Sequence, residues 1–270
     1  MEYIITPPIE SMSGAFDIKG KNVVVTGGNR GIGLGIATAF AQSGCNVAIL
    51  CRNEESGKKV AEDFASKYSG KFTCIPVDVS NYDEVCAAGK RVYEFFDHVD
   101  VLVNNAGVST TSSLFSPEGI DEWHRVINTN LHGVTYMIRA IVPGMKEAGK
   151  GGTIINISSV GGQSVSNARD HDHPPYNVAK AGLDIFSRYL ALTLGDYGIR
   201  VNSIAPGMTH SDLDVNLPPR AIEMAEKILP CHRFAEPIET GALCVFLASP
   251  AGCHITGQII AHDGGLMTIA

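Results

Sequence analysis

Short runs of β-branched and other apolar residues alternate with longer helical patterns along most of the chain. The runs are NVVVT, NVAILC, FTCIPVDV, VDVLVNN, GTIINISS, RVNSIAPG and, near the end, QIIAHDGG. Strands buried on both faces read as continuous apolar runs, and strand–helix alternation implies right-handed βαβ units. The pattern therefore predicts an α/β fold with a doubly wound, mainly parallel sheet of about seven strands and helices on both faces.

The chain has 270 residues, and no linker-like stretch divides it. A single α/β domain of this size is ordinary, so one domain is predicted over 18–270. Residues 1–17 carry Pro7, Pro8 and Gly14 and precede the first strand. They are predicted to form an arm on the surface or on a neighbouring subunit.

Charge and composition restrict the partners. The formal net charge is −7 and no dense Lys/Arg run occurs, which argues against binding nucleic-acid phosphates or anionic lipid. No apolar run reaches the roughly 20 residues of a membrane helix, and the first residues lack the features of a signal peptide. These observations predict a soluble cytoplasmic protein with a small-molecule partner.

Cysteine and histidine do not indicate a metal centre. The seven cysteines are scattered and never form a CxxC pair, so most are expected to be free thiols packed as small apolar residues. His171 and His173 lie beside Asp170 and Asp172, but an HxH in a loop seldom supplies the three or four ligands that a metal needs. No metal site is predicted.

A glycine-rich turn, TGGNRGIG over residues 26–33, joins the first strand to an apolar-periodic helix. Glycine lets the backbone approach a diphosphate closely, and a helix N-terminus offers unpaired N–H groups. The turn therefore predicts a dinucleotide site, with the cofactor bound by Gly27, Asn29, Arg30, Gly31, Ile32 and Gly33.

The TGxxxGxG spacing resembles that of the short-chain dehydrogenase/reductase superfamily, a Rossmann-like family. Further markers follow in the same order: Asp78 after the third strand, NNAG over 104–107, Asn130, Ser159, the YNVAK motif, Pro206-Gly207 and DGG over 263–265. The resemblance covers residues 18–267. It implies that the cofactor also contacts Asp78, Val79, Asn105, Ala106, Gly107, Pro206, Gly207, Thr209 and Ser211.

The end of the second strand indicates which nicotinamide cofactor is used. An acidic residue would be expected there for the ribose 2′-hydroxyl of NAD, but Cys51 and Arg52 occupy the place. Arg30 and Arg52 suit a 2′-phosphate, because the guanidinium fork pairs with its oxygens. NADP(H) is therefore predicted. The alternative is that one or both arginines are solvated and that either cofactor is accepted.

Tyr176 and Lys180 are four residues apart on a helical pattern and share one helix face. An ammonium and an oxidised nicotinamide near a phenol favour the phenolate and lower its pKa, so Tyr176 is predicted to exchange a proton with the substrate oxygen. Lys180 is also expected to hold the nicotinamide ribose.

Ser159 and Asn130 complete the predicted catalytic set. Ser159 follows a strand and is expected to hydrogen-bond the substrate carbonyl, with Ser158 as the competing assignment. The resemblance implies that Asn130 holds a water linking Lys180 to solvent; Asn128 is the alternative. Ser159 and Tyr176 are about four residues further apart than is usual in the family, which places extra residues in a loop over 167–175 at the active-site mouth.

These features predict an enzyme that interconverts a secondary alcohol and a ketone. The segment over 209–230 is expected to be a lid, and similarity of short stretches to enzymes of polyols, ketoses and keto-sugar acids favours a sugar-like substrate. A hydroxysteroid or bile-acid ketone and a 3-oxoacyl thioester are the rivals, and a non-catalytic NADP(H) sensor is the alternative from another class. The family and the apolar C-terminal segment suggest a homotetramer.

Overall fold

The computed structural model describes residues 4, 8–9, 11–165, 174–210 and 219–269. Its sheet has seven strands in the order β3-β2-β1-β4-β5-β6-β7, and every neighbouring pair is parallel. The predicted doubly wound sheet is confirmed. The strands are β1 Asn22–Thr26, β2 Asn46–Cys51, β3 Phe72–Pro76, β4 Val101–Asn104, β5 Gly152–Ile157, β6 Ile199–Pro206 and β7 Ile259–His262.

Helices cover both faces of the sheet. They are α1 Gly31–Gln42, α2 Glu54–Lys67, α3 Tyr82–Phe95, α4 Gly119–Ile127, α5 Gly133–Ala148, α6 Pro174–Leu194, α7 Pro219–Ile228 and α8 Pro237–Ala248. Alternate residues of the central strands enter two apolar cores: Val24 packs with α3, α5 and α6, whereas Val23 and Val25 pack with α1, α2 and α8. This division explains the continuous apolar runs, since a strand between two helical layers has no solvent-facing side.

Local sequence sets where several helices begin. Asn53 and Asn81 precede α2 and α3, and their side-chain oxygens accept from backbone N–H groups of the first turn. α6 begins at Pro174, where the missing N–H costs no hydrogen bond. A π-helical turn, Asn128–His132, separates α4 from α5.

The described part of the N-terminal segment lies against its own chain. Ile4 N donates to Asp196 O at 3.2 Å, and Ala251 N donates to Ala15 O at 2.7 Å. Ala15 is fully buried. In the described ranges, no helix is long and apolar enough to cross a bilayer.

Candidate active site

A cavity of about 840 Å³ opens at the carboxyl end of the sheet. It lies where the chain reverses its winding direction between β1 and β4, the position at which open α/β sheets bind ligands. All the predicted cofactor contacts that the structure describes line it: Gly27, Asn29, Arg30, Gly31, Ile32, Gly33, Arg52, Asp78, Val79, Asn105, Ala106, Gly107, Tyr176, Lys180, Pro206, Gly207 and Thr209. Ser211 lies outside the described residues.

The glycine-rich turn is shaped by positions that only glycine tolerates. Gly27 and Gly31 have φ angles of 66° and 51°, in the left-handed region. A Cβ on Gly33 would overlap the Gly27 carbonyl oxygen and Asn105 Nδ2 and would lie 2.8 Å from the Gly27 carbonyl carbon. The first turn of α1 is therefore packed directly against the loop after β4, which leaves a cradle bare of side chains at the helix N-terminus.

Thr26 and Asn105 tie the two halves of the cradle together. The Thr26 hydroxyl accepts from Asn105 N at 2.9 Å and from Ala106 N at 3.0 Å, and Asn105 Nδ2 donates to Thr26 O at 2.9 Å. Asn104 points away into the core, where its Nδ2 donates to Asn156 Oδ1 at 2.8 Å. Asn105 thus joins the two halves of the cradle, whereas Asn104 bonds within the core.

The end of β2 forms the rim of the cavity where a ribose 2′ substituent would lie. Arg30 and Arg52 are exposed there. Asn29 Nδ2 donates to Ser56 Oγ at 2.8 Å, which joins the glycine turn to α2. Cys51 is buried with its Sγ 3.8 Å from that of Cys74. At the end of β2, where a carboxylate would be expected for NAD, the rim carries two guanidiniums and the hydrogen bond between Asn29 and Ser56.

Asp78 serves the turn between β3 and α3 as well as lining the cavity. Its Oδ1 accepts from Ser80 N at 2.9 Å and from Ser80 Oγ at 2.7 Å, while its own N donates to Glu84 Oε2 at 2.8 Å. Such Asx-type bonding is the ordinary structural role of aspartate in turns. Val79, next to it, is buried and also lines the cavity.

Tyr176 and Lys180 reach the cavity from the first turns of α6. Tyr176 is half-buried, whereas Lys180 is only 4% exposed. Lys180 Nζ donates to Ile157 O at 2.7 Å, at the end of β5, and lies 5.6 Å from the centroid of the Tyr176 ring. The helical spacing thus brings the phenol and the ammonium to one site, as the sequence predicts.

Burial dominates the titration of both groups. Desolvation lowers the pKa of Lys180 to about 8, and the nearby Asp184 carboxyl opposes this. Desolvation raises the pKa of Tyr176, and the hydrogen bond from Ser159 opposes that rise. A lowered phenol pKa is expected from the sequence, but in the protein without a bound cofactor the direction is the opposite, because desolvation raises the pKa of Tyr176.

The two neighbouring serines differ in orientation. The Ser159 hydroxyl forms a hydrogen bond with the Tyr176 hydroxyl. It also accepts a hydrogen bond from Gly161 N at 3.1 Å. The Ser158 hydroxyl is buried and donates to Lys180 O at 3.3 Å. The geometry therefore places Ser159, rather than Ser158, beside the phenol.

Asn130 lies in the π-helical turn and is completely buried behind the cavity wall. Its Oδ1 accepts from Val108 N at 2.8 Å and its Nδ2 donates to Val108 O at 2.9 Å. Both polar groups of the Asn130 side chain are thus bonded to the Val108 backbone. Asn128, the alternative, is exposed and contacts the His132 ring at 3.0 Å.

One end of the cavity is built on β6 and the segment after it. Thr209 pairs with Ala235 in a short parallel bridge, and His210 N donates to Ala235 O at 2.8 Å. The Thr209 hydroxyl is buried and has no hydrogen-bond partner among the described residues. Such an orphaned group, together with the glycine cradle, fits a ligand that supplies the missing polar partner.

Sequence reasoning missed several cavity residues because they come from distant segments. Phe234 and Met208 line the end of the cavity beside Thr209, and Ser109 lines the wall after β4. The loop of Ser109 is fixed by α4: Arg125 donates to Ser109 O at 2.7 Å, and Thr111 N donates to Glu122 Oε2 at 2.9 Å. Only the Glu122–Arg125 spacing, i and i+3 on a helix, was visible in the sequence. The histidines of the loop over 167–175 and residues 211–218 of the predicted lid lie outside the described residues, and α7 forms much of the remainder of that segment.

Comparison with known proteins gives one family. A family model described as enoyl-(acyl carrier protein) reductase matches residues 27–267. The 3-oxoacyl-[acyl-carrier-protein] reductase FabG of Chlamydia muridarum is 39% identical over 246 residues, which are 91% of this chain and 97% of that protein. The chain belongs to the short-chain dehydrogenase/reductase superfamily, a class of oxidoreductases.

Solved structures of the same family are similar throughout. The active-site complex of Pseudomonas aeruginosa RhlG with NADP has a TM-score of 0.84 and 32% identity, and the match covers 94% of this chain and 99% of that one. A gluconate 5-dehydrogenase from Burkholderia cenocepacia, in complex with NADP and tartrate, has a TM-score of 0.86 and 30% identity over 94% and 98% of the two chains. Both matches cover nearly the whole of each chain.

Proposed function

We propose that the protein is an NADP(H)-dependent oxidoreductase that interconverts a secondary alcohol and a ketone, with residues 18–270 as one dinucleotide-binding and catalytic domain. The arrangement of Ser159, Tyr176 and Lys180 carries the proposal. A protonated phenol, a serine hydroxyl and a buried ammonium meet at one wall of the cavity. This set can polarise a carbonyl and deliver a proton to its oxygen.

Each residue has a separate task in this proposal. Tyr176 donates its proton to the substrate oxygen in reduction and removes it in oxidation. Ser159 donates a hydrogen bond to the same oxygen, where negative charge develops. Lys180 stabilises the phenolate that Tyr176 becomes and holds the nicotinamide ribose. The nicotinamide group, when bound, supplies or accepts the hydride.

Asn130 stabilises the cavity wall next to Lys180 in this proposal. Its two bonds to Val108 fix the wall beside Gly107, and a Cβ on Gly107 would lie 3.3 Å from Asn130 Oδ1 and 3.7 Å from Lys180 Nζ. We assign proton transfer between Lys180 and solvent to a water in this corner. The fixed side chain then acts by holding the backbone of the π-helical turn in place.

The preference for NADP(H) rests on the rim at the end of β2. Arg30 and Arg52 are the guanidiniums at the cavity there, and the described rim presents Cys51 in place of a carboxylate. A charge-assisted hydrogen bond contributes about 1.5–3 kcal/mol, so losing one guanidinium costs about 10- to 100-fold in affinity for a phosphate. Relatives of this fold whose solved structures hold NADP support the same choice.

Two substrate classes have support. The 39% identity to a 3-oxoacyl-[acyl-carrier-protein] reductase favours a 3-oxoacyl thioester. The similarity in structure to a gluconate 5-dehydrogenase favours the polyol, ketose or keto-sugar acid that the sequence suggests. Both classes present a ketone to the same wall, so one substrate panel tests them together.

A homotetramer is part of the proposal. On α6, Ile185, Tyr189 and Leu192 are 63%, 63% and 81% exposed and share one helix face. An apolar helix face of this kind is suited to burial against a second copy of the chain. Light scattering of the purified protein measures the mass; a stable monomer would contradict this part. The cytoplasmic location expected from the sequence stays a prediction.

The decisive experiment follows reduced-nicotinamide absorbance with NADPH and NADH against ketoses, keto-sugar acids, oxo-steroids and 3-oxoacyl thioesters. Tyr176→Phe should bind NADPH normally and lose about 100- to 10,000-fold in turnover. Ser159→Ala should lose more turnover than the matched control Ser158→Ala. Normal NADPH binding with no turnover of any substrate by the native protein would favour the non-catalytic sensor.

Cofactor preference needs its own variants. Arg30→Ala and Arg52→Ala should lower kcat/KM for NADPH about 10- to 100-fold and leave the value for NADH nearly unchanged. Lys58→Ala, an exposed cation on α2 that pairs with Glu54, is the matched control. Equal losses with both cofactors, or faster turnover of NADH by the native protein, would refute the phosphate-binding argument.

A further inference from the structure

Asp184 is a buried acid next to the candidate active site that the proposed reaction leaves without a task. It follows Lys180 by one helical turn on α6 and is 7% exposed. Neither carboxyl oxygen has a hydrogen-bond partner among the described residues. A buried carboxylate without such partners is costly, so its retention inside a folded domain calls for a compensating interaction.

The two hydroxyl groups nearest the Asp184 carboxyl each have another acceptor. Those of Ser158 and Ser203 are close enough to lower the pKa of Asp184, against the larger rise that desolvation causes. The first donates to Lys180 O at 3.3 Å, and the second donates to Ser187 Oγ at 2.9 Å. The carboxyl therefore competes with these acceptors for the two hydroxyl groups, and the charges around it add to their effect.

Two cations face the carboxyl, and they differ in strength. Arg188 is exposed, so water screens its charge. Lys180 is only 4% exposed, and within the described ranges its Nζ has one hydrogen bond, to the neutral Ile157 carbonyl. The carboxyl of Asp184 is the charge that opposes the loss of the Lys180 proton in its buried surroundings. Tyr176, on the other side of the ammonium, presents a protonated phenol.

We propose that Asp184 is a positioning residue that supplies the counter-charge of Lys180 and keeps its ammonium ionised beneath the cofactor and substrate. The inference rests on the proposed function, in which the ammonium stabilises the Tyr176 phenolate. Its physical basis is that opposite charges in a poorly solvated place interact strongly, whereas an unpaired buried ammonium loses its proton. Asp184 thereby acts on the reaction through Lys180 and touches no reacting atom.

The sign of the effect follows from the pKa of Lys180. At about 8, it leaves the ammonium largely charged at pH 7. Without the carboxylate the pKa falls further, so the ammonium becomes neutral at a lower pH. An opposite charge at close range typically changes a pKa by one unit or more, so we expect the Lys180 titration in Asp184→Asn to move down by about one pH unit or more.

The first test measures Lys180 directly in the protein without cofactor or substrate. Trace labelling with acetic anhydride across pH 6–10, quantified by mass spectrometry of the peptide holding Lys180, gives its titration midpoint. Asp184→Asn should lower the midpoint by about one pH unit or more. Ser187→Ala is the matched control, because it removes a buried polar group from the same helix without removing a charge. Its midpoint should equal that of the native protein.

Kinetics provide the second readout. The alkaline limb of kcat/KM for ketone reduction should move to lower pH in Asp184→Asn, and Asp184→Glu should partly restore it. A folded Asp184→Asn protein with an unchanged Lys180 midpoint overturns the proposal, whatever its turnover. Because the labelling needs no substrate, absence of turnover in the native protein would count against the proposed function and not against this one.

A reciprocal measurement covers the case in which Asp184→Asn does not fold. Coupled groups affect each other equally, so Lys180→Met should raise the pKa of the Asp184 carboxyl further above that of an ordinary aspartate. The carboxyl ¹³C chemical shift of Asp184 reports this titration in both proteins. An equal pKa in both would overturn the proposal.

Discussion

Gly33 offers a sharp test of how the turn is built, because a methyl group there has no space. Its Cβ would overlap the Gly27 carbonyl oxygen and Asn105 Nδ2, and contacts shorter than 3.0 Å are essentially never observed for Cβ atoms. Overpacking costs about 1–3 kcal/mol, and the better helix propensity of alanine returns about 1 kcal/mol. We expect Gly33→Ala to lose up to about 2 kcal/mol of folding stability, which is a few degrees in Tm.

Gly33→Ala should also weaken cofactor binding, and this effect is distinct from its loss of folding stability. The displaced groups form the cradle itself, and a lost hydrogen bond to a charged ligand is worth about 1.5–3 kcal/mol. NADPH binding, measured by fluorescence titration, should therefore weaken about 10- to 100-fold. Gly35→Ala is the matched control: its Cβ would lie 2.5 Å from Pro237 Cβ and O, at the contact of α1 with α8 and away from the cradle.

Gly33→Ala and Gly35→Ala should thus lose comparable folding stability. Only Gly33→Ala should, in addition, bind NADPH more weakly. Native affinity in a folded Gly33→Ala protein would refute the reasoning. Equal loss of affinity in Gly35→Ala would also refute it, since the effect would then be a general loosening of α1.

Three further outcomes are expected. Arg125 and the Thr111 N–H hold the pKa of Glu122 at about 2, so its contribution to stability is present above the unfolded pKa near 4.3 and is lost as the pH falls toward 2. Glu122→Gln should therefore flatten the fall of Tm with acid in that window, as measured by thermal melts; an unchanged slope would contradict this. Asn130→Ala leaves the Val108 backbone groups without their two side-chain partners and should cost about 2–4 kcal/mol in denaturant unfolding, whereas a loss below about 1 kcal/mol would show that the corner relaxes. Cys231 is exposed, while burial raises the pKa of the Cys45 thiol to about 12; a thiol reagent should modify the first rapidly and the second only on unfolding, and early labelling of Cys45 would disprove its burial.

Much of the fold could be predicted from the sequence, because the signals are local. Continuous apolar runs mark strands buried on both faces, and all seven appear where the pattern places them. Pro174 marks the start of α6, and the spacing of Tyr176 and Lys180 places both on one face. A helix fixes side-chain direction every few residues, so these relations need no tertiary information.

Other features could not be predicted, because they depend on groups far apart in the chain. The bond of the Ser158 hydroxyl to Lys180 O is one: the sequence favours Ser159 over Ser158 at the phenol, but the partner of Ser158 is seen only in the fold. The closure of the Asn130 side chain on Val108 is another, because it requires a π-helical turn and a loop 22 residues away.

The sequence by itself determined the strands, the helices, the glycine turn and the residue types of the catalytic set, since periodicity and glycine conformation are local properties. Tertiary structure alone decided the electrostatics of the site. Burial raises the pKa of the Tyr176 phenol, lowers the pKa of Lys180 to about 8 and encloses the Asp184 carboxyl one helical turn from Lys180. A pKa depends on the water and charges that the folded chain places around a group, and no spacing of residues records them.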